Sequence, residues 1–160
     1  MLDPVTISLI AATFLIAGAV KGVIGLGLPT ISLAVLTATI GLQPAMALML
    51  APSFVTNVWQ AMIGGNGKTI LKRIWPFLVM ATVTVWVGVD VLTRVDVAWL
   101  SALLGALLIV YAAVGLGGVR FSIEGSREAW VGPVIGAVNG IFTGMTGSFA
   151  VPGIPYLQAL

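Results

Sequence analysis

From Pro4 to Ile63 the sequence carries one charged side chain, Lys21. A soluble domain holds about a quarter of its residues as Asp, Glu, Lys or Arg, so a stretch like this cannot supply a water-facing surface. The rest of the chain follows suit, with 59% of its 160 residues hydrophobic and 8% charged, and a mean hydropathy of +1.16. Long apolar runs of this kind are membrane-spanning helices, and the fold class read from them is an all-α polytopic membrane protein.

The charges delimit the spans, because a helix needs about 20 apolar residues to cross a bilayer. They fall at Asp3, Lys21, Lys68, Lys72, Arg73, Asp90, Arg94, Asp96, Arg120, Glu124, Arg127 and Glu128. Pro44–Ile63, Ile74–Val91 and Val97–Leu116 are each long enough to span. Thr6–Lys21 is a little short and Pro29–Ile40 shorter, so these two are predicted as a broken or re-entrant pair. Trp130–Phe142 begins a further helix. Lys and Arg accumulate on the cytoplasmic side, which puts the Gly64–Arg73 loop there through Lys68, Lys72 and Arg73. The Asp90–Asp96 turn then lies opposite, and the Gly117–Glu128 loop returns, although two Glu accompany its two Arg. Trp59, Trp75, Trp86, Trp99 and Trp130 mostly stand near span ends, where aromatic side chains anchor a helix at the interface. Met1–Pro4 lacks the positive n-region of a cleaved signal peptide, so the first span is expected to stay in the mature protein.

The connection within the broken pair is Gly18-Ala-Val-Lys-Gly-Val-Ile-Gly-Leu-Gly-Leu-Pro29. Its glycines and proline predict that the helix breaks where Lys21 sits. Broken helices leave backbone N–H groups without partners, and these, with the helix dipole, favour an anion. Irregular backbone at membrane depth is tolerated where it is buried in protein or lines a water-filled cavity. Lys21 would add a full positive charge, and an ionisable residue inside a span is by default a functional one. A long Lys side chain near a helix end also snorkels to the interface, and both readings stand at this point.

A second copy follows. Gly136-Ala-Val-Asn-Gly140 matches Gly18-Ala-Val-Lys-Gly22 at four of five positions, and Ile141–Pro152 again runs through glycines (Gly144, Gly147) to a proline. Gly/Pro-interrupted segments at corresponding positions of two halves are the best sequence pointer to a transporter site. Small residues four apart also let helices pack closely, which is the plainer account of each motif taken singly. Candidate substrate-binding residues are Lys21, Gly22, Gly25, Gly27 and Pro29 in the first copy, with Asn139, Gly140, Thr143, Gly144, Thr146, Gly147 and Ser148 in the second. Asn57, which shares an apolar helix with Thr56 and Gln60, joins them, although an interhelical hydrogen bond is the plainer and preferred account of such residues. The repeat organisation is a first repeat over 1–128, a broken pair plus three spans, and the start of a second over 129–160 that is expected to be incomplete. Inverted and parallel arrangements both fit the spacing, the inverted one being preferred.

Other chemistry is poorly provided for. Cys and His are absent, which removes thiols and the commonest metal and acid/base ligand, and no paired carboxylates can be assembled. Neither enzyme nor metal nor cofactor is expected, and nothing indicates nucleic acid. Gly64-Gly-Asn-Gly-Lys-Thr69 is not a phosphate-binding loop, since the position that should hold its first glycine is Met62.

On Gly18, Lys21, Gly22, Gly25, Gly27 and Pro29, and again on Gly136, Asn139, Gly140, Gly144, Gly147 and Pro152, the chain resembles the sulfite exporter TauE/SafE family of membrane transporters. The resemblance implies a multi-pass plasma-membrane permease for small sulfur-containing or organic anions, with the lipid bilayer as its other partner and a homo-oligomer left open. The second motif departs from the family pattern at Thr146 and Ser148, which bears on the substrate more than on the fold. The mechanism expected is a midplane site at the two glycine breaks, with one half rocking against the other. The rivals are a non-transporting membrane subunit whose glycines pack helices against a partner, and an anion channel.

Overall fold

The structure is a computed structural model that describes residues 3–118, 123, 125–149 and 151–160. Among these residues it is helical and contains no strand: α1 (Pro4–Ile24), α2 (Leu28–Ile40), α3 (Leu42–Ile63), α4 (Gly67–Arg94), α5 (Val97–Leu116), α6 (Gly125–Thr146) and α7 (Gly153–Gln158). Helices α1, α3, α4 and α5 are long and apolar enough to cross a membrane, and α2 is a shorter apolar helix. Their outward residues are those lipid would accept: Val23, Leu15, Phe54, Ile109 and Leu116 are all exposed, as are the five tryptophans.

Local chemistry explains the helix boundaries. Asp3 caps α1 by accepting from the Thr6 N–H and hydroxyl, and Pro4 fills the first turn, where its missing N–H costs nothing. The Thr6 hydroxyl holds the Asp3 carboxyl below its usual range. Asp96 caps α5 by accepting from Ala98 N at 2.7 Å. Helix α4 has 28 residues, roughly 42 Å at 1.5 Å each. That exceeds the ~30 Å hydrocarbon core, so its charged ends project from it: Lys68, Lys72 and Arg73 at one end, Asp90 and Arg94 at the other.

Several boundaries differ from the sequence expectation. Helix α1 starts at Pro4 and continues through Gly18, Lys21 and Gly22, so it is full length and does not break at the charge. It ends at Gly25 (φ 82°), and α2 is entered through Gly27 (φ 112°). Only glycine adopts such left-handed angles readily. The basic residues of the expected Gly64–Arg73 loop lie on α4, which begins at Gly67, and Arg127 and Glu128 lie on α6. Arg120 and Glu124 of the Gly117–Glu128 loop are outside the described residues.

Two compact units divide the chain, Met1–Thr56 and Asn57–Leu160. In the first, α1 presents Thr13, Ala17 and Lys21 as a buried stripe four residues apart, and α2 buries Leu28, Ser32, Leu33 and Leu36. In the second, α4 and α6 form the main contact, and Phe77 is its centre. Phe77 is fully buried, stacked on Tyr156 of α7 at 5.0 Å and edge-on to Phe149 at 5.9 Å. At the end of the same contact Arg73 forms a two-pronged pair with Glu128 at 2.7 and 2.9 Å.

Candidate functional site

The first unit holds the charged candidate residue. Lys21 lies one turn before the α1–α2 break and is 6% exposed. Its Nζ donates to Thr56 Oγ1 on α3 at 2.9 Å. The side chain therefore turns inward rather than out to an interface. Thr56 in turn donates to the Pro52 carbonyl at 2.8 Å, with the Ser53 carbonyl at 3.2 Å, so its lone pairs face the ammonium.

The break itself is Gly25-Leu-Gly27, followed by Pro29 in the first turn of α2. No side chain caps α2, and Ile31 N is the first to bond back, to Gly27 O at 2.9 Å. By helix geometry the N–H groups of Leu28 and Thr30 have no acceptor within α2, and Pro29 has no N–H. They form the positive end of the α2 dipole. Gly22 stands on the exposed side of α1, and an added Cβ there, as at Gly18, would meet no atom within 4 Å.

The second copy is built differently. Its motif glycines lie inside α6 and face α4, not a break. A Cβ on Gly136 would sit 2.4 Å from Phe77 O, one on Gly140 2.1 Å from Thr84 Oγ1 and 2.2 Å from Ala81 O, and one on Gly144 2.2 Å from Val85 O. Gly88 on α4 is equally tight, 2.1 Å from Ile141 O, and Gly132 would press on Tyr156 Oη at 2.7 Å. Thr84 Oγ1 completes the contact by donating to Ala137 O at 2.9 Å. Gly132 extends the stripe by one more four-residue step, a periodicity readable in the sequence but passed over there.

The polar residues of the second copy gather at the end of α6, where the helix stops at Gly147 (φ 73°). Asn139, Thr146 and Ser148 are almost fully buried. Asn139 Oδ1 accepts from Gly153 N at 2.8 Å and so ties α6 to the start of α7. Thr143 donates to Asn139 O at 2.7 Å and lies 3.3 Å from Ser148 O. Thr146 donates to Phe142 O at 2.7 Å and accepts from Ser148 N at 3.3 Å. Most donor protons here are committed to holding the turn. Asn57, the remaining candidate, begins the second unit on α3 and is exposed.

The sulfite exporter TauE/SafE family model matches residues 10–160, which covers both glycine copies and every helix apart from the first residues of α1. The chain belongs to the sulfite exporter TauE/SafE family. No curated protein and no solved structure matches it. As a TauE/SafE protein with four helices of bilayer length, it is a multi-pass membrane protein of a transporter family. No group of metal-ligating side chains occurs among the described residues of this TauE/SafE chain.

One consequence concerns Asn139, whose oxygen is the acceptor for the buried Gly153 N–H. Asn139→Ala should leave that donor unsatisfied and cost roughly 1–3 kcal/mol, read as a lower unfolding temperature in detergent. An unchanged temperature would show that the α6–α7 tie contributes little.

Proposed function

We propose that the protein is a permease for small sulfur oxyanions or related organic anions, and that the α1–α2 break with Lys21 is where the anion binds. The observation that carries this is the inward course of Lys21, a buried ammonium one turn before a helix break in a chain of a sulfite exporter family. Ammonium and uncapped helix N–H groups favour the same kind of ligand. Lys21, Gly22, Gly25, Gly27 and Pro29 form the charged element of this proposal. Asn139, Gly140, Thr143, Gly144, Thr146, Gly147 and Ser148 are the neutral residues proposed from the second copy, where Gly140 and Gly144 pack α6 on α4, Gly147 makes the turn and the hydroxyls line it. Asn57 is kept as a polar contact on α3. No group here is asked to do covalent chemistry, and the protein is proposed to act without a cofactor.

The proposal includes a two-repeat organisation, 1–128 and from 129 onward, with residence in the plasma membrane and the Gly64–Arg73 segment on the cytoplasmic side. Its basic side chains on the projecting end of α4 support that orientation.

Proteoliposomes containing the intact protein test the function. Sulfite entry should be protein-dependent, should saturate with sulfite concentration, and should be inhibited by other small oxyanions. Flux that rises without saturation would favour a channel. No flux, together with a stoichiometric co-purifying protein, would favour a non-transporting subunit.

A further inference from the structure

Among the described residues, three buried side-chain oxygens have no hydrogen-bond partner: Ser32 Oγ, Thr37 Oγ1 and Ser53 Oγ. All three belong to the unit that holds Lys21. A buried hydroxyl without a partner is costly, and it has a hydrogen bond to offer a ligand that reaches it. Ser32 and Thr37 lie on α2. Ser53 differs from them in its neighbourhood, for it stands three residues before Thr56 on α3, and residues three apart share a helix face. Thr56 is the residue that receives the Lys21 ammonium at 2.9 Å.

We infer that Ser53 and Thr56 complete the anion site of Lys21, Ser53 as a direct ligand and Thr56 as a positioning residue. This rests on the reading of the chain as an anion permease and names two residues that the glycine motifs do not contain. Thr56 gives its proton to the helix carbonyls and can only accept from Lys21, so it fixes where the charge sits. Ser53 keeps its proton. An oxyanion beside Lys21 Nζ would take one hydrogen bond from the ammonium and a second from Ser53 Oγ. The ligand class is a compact oxyanion such as sulfite or a sulfonate, whose oxygens can accept from both donors.

The test uses the intact protein in proteoliposomes with sulfite as probe, together with thermal unfolding with and without sulfite. Ser53→Ala should raise KM about tenfold, the order expected for a hydrogen bond to a charged group, with the maximal rate nearly kept. Its unfolding temperature without sulfite should be equal or higher, since an unpartnered buried hydroxyl is removed, and the sulfite-induced rise should shrink. Thr56→Val should also raise KM, and Thr56→Ser should restore it. Ser53→Ala with unchanged KM overturns the inference, and so does lowered stability with an unchanged sulfite shift, which would mark a purely structural hydroxyl. Wild-type protein that neither moves sulfite nor is stabilised by it fails the permease reading itself, and this inference falls with it. An active wild type beside an indifferent Ser53→Ala variant fails this inference alone.

Discussion

Gly140→Ala is expected to disrupt the packing of α4 on α6, whereas Gly22→Ala, the same change in the matching motif, is expected to leave packing and stability intact. An added Cβ at Gly140 falls 2.1 Å from Thr84 Oγ1, 2.2 Å from Ala81 O and 2.9 Å from Ala81 C. Thr84 could rotate, but the Ala81 backbone can clear the methyl only if α4 moves away. The separation would be felt along the contact, because Gly136, Gly144 and Gly88 are as close to opposing backbone, and the Thr84–Ala137 hydrogen bond would stretch. Overpacking typically costs about 1–3 kcal/mol, and the upper end is expected here. Lipid offers no hydrophobic drive to hold helices together, so close packing is the main source of their association. At Gly18 and Gly22 nothing lies within 4 Å of the added methyl, and Ala is favoured over Gly inside a helix by roughly 0.5–1 kcal/mol. Thermal unfolding in detergent should therefore rank Gly22→Ala at or above wild type and Gly140→Ala well below it. A Gly140→Ala variant as stable as Gly22→Ala would contradict the helix contact described.

That contrast shows where the sequence was and was not legible. The spans were readable because uncharged runs of about 20 residues admit few alternatives, and α5 runs from Val97, just after Asp96, to Leu116, just before Gly117. Which glycines break a helix was not readable. Glycine serves equally for a left-handed turn and for a close helix contact, and five residues of motif cannot tell one use from the other. Gly25, Gly27 and Gly147 make the turns; Gly136, Gly140 and Gly144 make the contact. The choice depends on what stands opposite, and Phe77, Ala81 and Val85 lie more than fifty residues away in the chain. Asn139 was visible as a polar residue in apolar sequence, yet its role in holding the Gly153 N–H depends on the turn that brings α7 back. Ser53 was invisible for a simpler reason: a single serine in a helix gives no signal until its partners can be sought and are not found.

Lys21 carries the second large effect. Removal of one partner from a desolvated charge pair costs about 2 kcal/mol or more, which corresponds to about thirtyfold in affinity. Lys21→Gln is the informative change, because an amide can still donate to Thr56 and fill the space between α1 and α3 while the charge is lost. If Lys21 serves only to hold α1 against α3, that substitution should be nearly silent for transport. If it binds the substrate, stability should change little while transport falls. Lys21→Arg keeps the charge but spreads it over a larger planar group, and should retain part of the activity.

The decisive measurement is sulfite uptake into proteoliposomes by wild type and Lys21→Gln at matched protein content, with unfolding temperatures recorded alongside. The account expects kcat/KM to fall about thirtyfold or more with an unfolding temperature close to wild type; equal kcat/KM in the two proteins would contradict it.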